Sequence, residues 1–261
     1  SPTIETDLRV VAQPLAVDRL DHALRALAAG LADHPADQMP DIVGACLIAD
    51  TVTLILTHPC PTPPAPWISD QLTWSLPGDL PLPEPDGCLA PLPTLVAVGS
   101  QPGTHLLLDL ERLGLLAITG DPGRAGDLLR YLTVELACNT WSDHVEVTIA
   151  GFDATETEQL IAIGGDRIDA AASTPAAIDR IRRRAHQVVQ SLDHLGASDP
   201  LTGRITDLAA DAWMPQVLVV NNPTPAEIAA LETLDGDLAA NGRCAVAVAT
   251  PAASNTGAPS W

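Results

Sequence analysis

From residue 113 onward the chain repeats one pattern, a short apolar run followed by an amphipathic stretch. The runs are "LGLLAIT" (113–119), "VEVTIAGF" (145–152), "QVLVVN" (216–221) and "CAVAVAT" (244–250). Between and after them, residues 122–138, 154–163, 175–195 and 225–240 place their apolar side chains at helical spacing. Strands that are apolar throughout have no solvent face. Spaced by helices, they predict a mostly parallel sheet covered on both sides, an α/β fold.

The first third reads differently. Leu15, Leu20, Leu24, Leu27 and Leu31 mark an amphipathic helix over 15–33, and "IVGACLIADTVTLILT" (42–57) predicts a β-hairpin turning at Ala49-Asp50. Proline density from Pro59 to Pro93 forbids helix and favours extended segments, with one short strand in "LTWSLP" (72–77). A second hairpin is expected over 94–110, turned by Gln101-Pro102-Gly103. A boundary near Pro91 divides the chain into a small N-terminal α/β module, 1–92, and a second unit, 93–261.

Composition removes whole classes of function. The formal net charge is −20, and all 13 basic residues are Arg. Phosphate-backbone binding depends on positive charge, so DNA, RNA and anionic membranes are disfavoured as partners. Without lysine there is no Schiff base and no lysine to hold a phosphate. Cys46, Cys60, Cys88, Cys138 and Cys244 form no C-x-x-C pair, and the seven histidines form no H-x-x-x-H. This predicts no metal site and no cofactor, and a reducing, cytoplasmic setting. No G-x-S-x-G elbow is present, and nothing resembles a signal peptide or a membrane span. The chain opens on Ser1 rather than Met, which suggests a piece of something larger.

The stretch "ITGDPGRAGDLLR" (118–130) runs strand, loop, helix, the layout of a phosphate loop. Such a loop, G-x-x-x-x-G-K-[ST], wraps phosphates with backbone N–H groups, a lysine and a Mg²⁺-binding hydroxyl. Counting from Gly120, Ala125 falls on the second glycine, Gly126 on the lysine and Asp127 on the hydroxyl. One residue on, Gly126 becomes the glycine and Asp127 the lysine. Either register sets a carboxylate where a triphosphate would lie. The candidate nucleotide contacts are therefore a degenerate set: Gly120, Gly123, Arg124, Gly126 and Asp127. The competing reading makes Asp121 an N-cap, Pro122 the first helical residue, and Leu128, Leu129, Leu132 and Leu136 a buried stripe.

A second site shows the same loss. The strand that would hold Mg²⁺ should end in acidic residues, and "VLVVNN" ends in Asn221 and Asn222, which carry no charge and accept no proton at neutral pH.

The order of elements from "LLLDL" through "LGLLAITGDPGRAGDLLRYLTVELA", "WSDHVEVTIAGFD", "AIDRIRRRAHQVV", "MPQVLVVNNPTPAEIAALETLDGDLAANG" and "CAVAVATPA" resembles the motor domain of FtsK/SpoIIIE-type ATPases, including those of type VII secretion. The resemblance covers about residues 94–252. It implies a P-loop NTPase-like fold in which the Walker A lysine and Walker B acids are missing, with Thr250 at the sensor position. "APLPTLVAVGS" and "HLLLDLERLGLLAITGD" are also similar to a region of large multidomain bacterial membrane proteins with LysM and transcriptional-activator-type domains. That resemblance implies a cytoplasmic segment tethered to the membrane through a longer polypeptide.

Arg180, Arg182, Arg183 and Arg184 are the one basic concentration. Thr174 is the expected cap of their helix. Ile178, Ile181, Ala185, Val188, Val189, Leu192 and Leu195 form its buried face, which turns Arg180, Arg183 and Arg184 outward, either to an acidic partner or to solvent. Two functions stay open. One is a non-catalytic scaffold or regulatory domain that contacts other domains of its polypeptide or protein partners. The other is an active or weakly active nucleotide-binding ATPase completed by another subunit.

Overall fold

A computed structural model describes residues 14–82, 87–206 and 209–252. The first sheet is antiparallel and six-stranded. Its strands are β1 (Ile42–Ile48), β2 (Thr51–Leu56), β3 (Ile68–Asp70), β4 (Thr73–Leu76), β5 (Leu95–Gln101) and β6 (Thr104–Asp109), in the order β3-β4-β2-β1-β6-β5. The alternation in β2 buries Val52, Leu54 and Leu56 and leaves Thr51, Thr53 and Ile55 on the other face. Helix α1 (Pro14–Leu31) closes the buried face with Leu20, Leu24, Leu27 and Leu31 against Trp74, Leu76 and Leu95. Both predicted hairpins form, with Ala49 and Gly103 at positive φ in their turns.

The first sheet continues past residue 92. Hairpin β5–β6 hydrogen-bonds to β1 through five residue pairs from Gly44–Leu108 to Ile48–Thr104. The chain passes from one sheet to the other at Asp109, through the single-turn helix α2 (Leu110–Leu113).

The second sheet is parallel. It holds β7 (Leu115–Ile118), β8 (Glu146–Ala150), β9 (Ile168–Ala170), β10 (Gln216–Val220) and β11 (Val246–Pro251), in the order β7-β11-β10-β8-β9. Strand β11 therefore lies between the strand that leads into the glycine loop and the strand that ends at Asn221. Helices α3 (Pro122–Cys138) and α4 (Ala154–Gly164) cover one face, with Leu129, Leu132, Leu136 and Leu160 on Val147, Ile149, Val217 and Val219. Helices α5 (Thr174–Leu195) and α7 (Pro225–Asn241) cover the other, with Ile178, Ile181, Leu231 and Leu234 on Leu218, Val220, Val246 and Val248. Successive residues of β10 thus feed opposite cores, as the unbroken apolar run requires. This is the α/β architecture that the sequence predicts.

Local chemistry sets the helix ends. Asp121 caps α3, and capping boxes start α4 (Asp153, Glu156) and α7 (Thr224, Glu227). The cap of α5 is Ser173, whose hydroxyl accepts from Ala176 N–H; Thr174, the residue expected there, is already helical and buried. Four elements escape the pattern: the three-residue strands β3 and β9, the single-turn α2, and helix α6 (Pro200–Ile205). Among the described residues no helix is long and apolar enough to cross a membrane.

Charges are buried where the sheets meet. Arg243 pairs with Asp109 and donates to Ile42 O at 2.9 Å, while Asp109 accepts from the Thr94 hydroxyl at 2.6 Å. Nearer the surface, Arg112 grips Asp41 through two bonds of 2.6 and 2.7 Å. Arg112 holds the Asp41 carboxyl below its ordinary range, although partial burial alone would raise it.

Candidate functional site

The carboxyl ends of β7, β11 and β10 open into a cleft of about 420 Å³, lined by Thr119, Gly120, Pro122, Ala125, Asn221 and Asn222 among others. This is where a parallel sheet keeps its ligands. None of the lining residues is charged.

Three residues, Thr119–Asp121, join β7 to α3. Gly120 turns the chain at φ 122°, a conformation that side chains disfavour. Asp121 then closes the helix end on itself. Its Oδ1 accepts from Arg124 N–H at 3.0 Å, and its carbonyl accepts from Ala125 N–H at 2.9 Å. Pro122 has no N–H, so among the first three helical positions Gly123 alone keeps a free amide. A helix N-terminus binds an anion through those amides. Here a carboxylate of the chain occupies that role.

The other candidates divide. Gly126 is buried in the first turn of α3, and a Cβ there would lie 3.8 Å from Asn221 Oδ1, so the loop helix and the Asn-ended strand do meet. Asn221 is 6% exposed and its backbone N–H donates to Ala150 O; Asn222 adopts φ 49° and is exposed. Asp127 is bound by Arg130 at 2.7 Å, and Arg130 reaches Glu156 on α4 at 2.6 Å. That triad ties α3 to α4. Arg124 is exposed, with no side-chain partner among the described residues.

Thr250 does not line the cleft itself. Its neighbours Ala249 and Val248 feed the α3–α4 and α5–α7 cores respectively, and Thr250 shares the parity of Val248. It lines a smaller cavity of about 80 Å³ beside Leu231 and Glu232 of α7, which adjoins the cleft and shares Ile228, Pro251 and Ala252 with it. Asn221 and Thr250 therefore lie on opposite faces of the sheet.

The arginine cluster is also split. Arg180 is exposed and bonds Thr148 and Asp169 at 3.1 Å each, and Arg183 is exposed. Arg184 does not point outward as its spacing suggests. Its Nη2 donates to Ala212 O at 2.9 Å and Met214 O at 2.8 Å, and burial lowers its pKa. It fastens α5 to the segment that enters β10.

Sequence reasoning missed Glu135 of α3. Both carboxylate oxygens lie 3.0 Å from Ala97 N, at the register shift in edge strand β5. Burial raises this carboxyl from 4.5 to about 7, against the opposing effect of the bonds from Ala97, Asn139 and Tyr131. Trp141 Nε1 donates to Leu95 O at 2.8 Å on the same strand. Together they cap an edge that would otherwise offer free backbone groups. No local pattern marks Glu135, because its partner is a backbone amide on another sheet.

Among the described residues no group of three or more His, Cys, Asp and Glu is placed to hold a metal ion. The chain matches no family model and no curated protein. Among solved structures it is similar to the pCW3 conjugation coupling protein TcpA, in its monomer form with ATPγS. The identity is 12%, over 82% of this chain and 69% of that chain, with a TM-score of 0.43.

Proposed function

We propose that this chain is a non-catalytic scaffold or regulatory interaction domain built on an FtsK-like ATPase fold, part of a larger bacterial protein. The observation that carries the reading is the self-closed loop. Asp121 takes the Arg124 amide that a phosphate would need, on a three-residue connection too short to encircle one. Asn221 and Asn222 stand where the Mg²⁺-binding acids would be, and lysine is absent from the chain. Its partners are other domains of the same polypeptide or other proteins, and its setting is the cytoplasmic side of a membrane-tethered assembly.

Calorimetry with Mg²⁺-ATP tests this directly, using protein at about 0.2 mM to register the millimolar binding expected of a few weak contacts. The expected result is heat of dilution only. Saturable binding would overturn the reading in favour of an ATPase-like nucleotide site. Retention on DNA at low salt, weakening steeply as salt is added, would point instead to a nucleic-acid role.

A further inference from the structure

The Asn221 side chain is a polar group left open inside the protein. The residue follows β10 and is 6% exposed, and among the described residues neither its Oδ1 nor its Nδ2 has a hydrogen-bond partner. Buried carboxamides are ordinarily satisfied, because an unpaired one costs free energy. Asn221 lines the cleft of about 420 Å³. Most of that wall is apolar, from Ile118, Pro122, Ala125 and Ile228, and no lining residue is charged or aromatic. The adjoining cavity of about 80 Å³ runs between Leu115, Ala117 and Leu231, with the exposed Glu232 also on its wall.

We propose that this cleft binds an extended, uncharged peptide segment of a partner protein, clamped by the Asn221 carboxamide. In an extended chain the N–H and C=O of one residue point to the same side. A carboxamide presents the matching acceptor and donor, so one clamped residue satisfies both polar atoms of Asn221. A ligand that displaces water from such a group must replace both of its bonds. The apolar side chain of the clamped residue enters the smaller cavity beside Leu115 and Leu231. Other ligand classes fit this lining less well. A phosphate or carboxylate finds no cation in it, and an ammonium finds no carboxylate. A nucleobase finds no aromatic ring or guanidinium on which to stack.

This rests on reading the chain as an interaction domain, and it names the chemistry of the partner. The probe is N-acetyl-leucine N-methylamide, a single residue flanked by two peptide groups. Added to ¹⁵N-labelled protein, it should shift the Asn221 carboxamide resonances saturably, with Kd on the order of 1 mM for a ligand of this size. N-acetyl-leucine, which carries a carboxylate, and adenosine should each bind at least ~10-fold more weakly. Asn221→Leu fills similar space without a donor or acceptor. It should weaken the probe at least ~10-fold, read at the backbone amides of Gly120 and Asn222, while the rest of the spectrum shows that the variant is folded. No saturable shift at Asn221 up to about 50 mM probe overturns the inference. So does tighter binding of adenosine or N-acetyl-leucine, or an Asn221→Leu variant that binds the probe as the wild type does. If that variant does not fold, the ranking of the three probes on the wild type decides alone. Saturable ATP binding would overturn the scaffold reading, whereas silence to both ATP and the peptide probe would overturn this inference only.

Discussion

Arg204 and Glu111 stand 93 residues apart in sequence and meet at 2.8 Å, with side chains 3% and 0% exposed. Both ends of the pair are anchored further. Arg204 donates to Trp213 O, and the second oxygen of Glu111 accepts from Ala245 N–H at 2.9 Å. Since Glu111 belongs to α2, the pair fixes the one turn that joins the sheets to the strand entry beside it. Arg243 with Asp109 repeats the arrangement one step away. Such pairs add little net stability over apolar packing, yet losing one partner strands the other.

Glu111→Leu should therefore cost about 3–5 kcal/mol, by leaving the Arg204 guanidinium buried and unpaired. Adding Arg204→Met should recover part of that loss. Denaturant midpoints for both single variants and the double variant form a cycle. Strictly additive losses would mean that the two side chains do not depend on each other.

Stability should fall as pH rises from about 5 to 8. Glu135 has a folded-state pKa near 7, above its ordinary 4.5. The folded chain therefore binds more protons than the unfolded one across that window. The stabilisation is complete below about 4.5 and is lost as pH passes 7. Glu135→Gln keeps an acceptor for Ala97 N–H and should flatten this slope. Asp41 acts in the opposite sense: its lowered pKa contributes stability at neutral pH that is lost on acidification. Urea midpoints between pH 4 and 9 would show both limbs, and an unchanged slope in Glu135→Gln would refute the assignment.

Asp121→Ala should lower stability by about 1 kcal/mol, the ordinary worth of an N-cap, while Asp121→Asn retains most of it. The freed Arg124 amide should not create ATP binding, because neither a lysine nor an acidic strand end accompanies it. Thermal melts and Mg²⁺-ATP calorimetry on the same samples check both halves.

Much of this architecture was legible in the sequence. The strands around 116, 148, 218 and 248 are continuous apolar runs, and Asp121-Pro122 announces a helix start in local chemistry alone. What escaped was non-local. Nothing in "TLVAVGSQPGTHLLLDL" says that its hairpin hydrogen-bonds to β1. Arg184 looks like a surface charge until the carbonyls of Ala212 and Met214 are placed beside it. Thr250 lies on the sheet face opposite Asn221, a matter of parity that the apolar run alone does not reveal.

Two glycines packed beside Asn221 should respond in opposite ways, and the contrast bears on what the loop is for. In a working phosphate loop a glycine is kept so that the backbone can approach the ligand. Gly126 has no such constraint. It is helical, and an added Cβ would meet Arg130 Nη1 at 3.6 Å and Asn221 Oδ1 at 3.8 Å, both ordinary contacts. Gly126→Ala should therefore stabilise the chain by about 0.5–1 kcal/mol through helix propensity. Gly151, at the end of β8, has φ 75°, and a Cβ there would drive into the Asn221 carbonyl oxygen. Gly151→Ala should lower the melting temperature sharply or abolish soluble expression. If Gly126→Ala instead destabilised the chain, the first turn of α3 would be serving a close approach that the fold alone does not require.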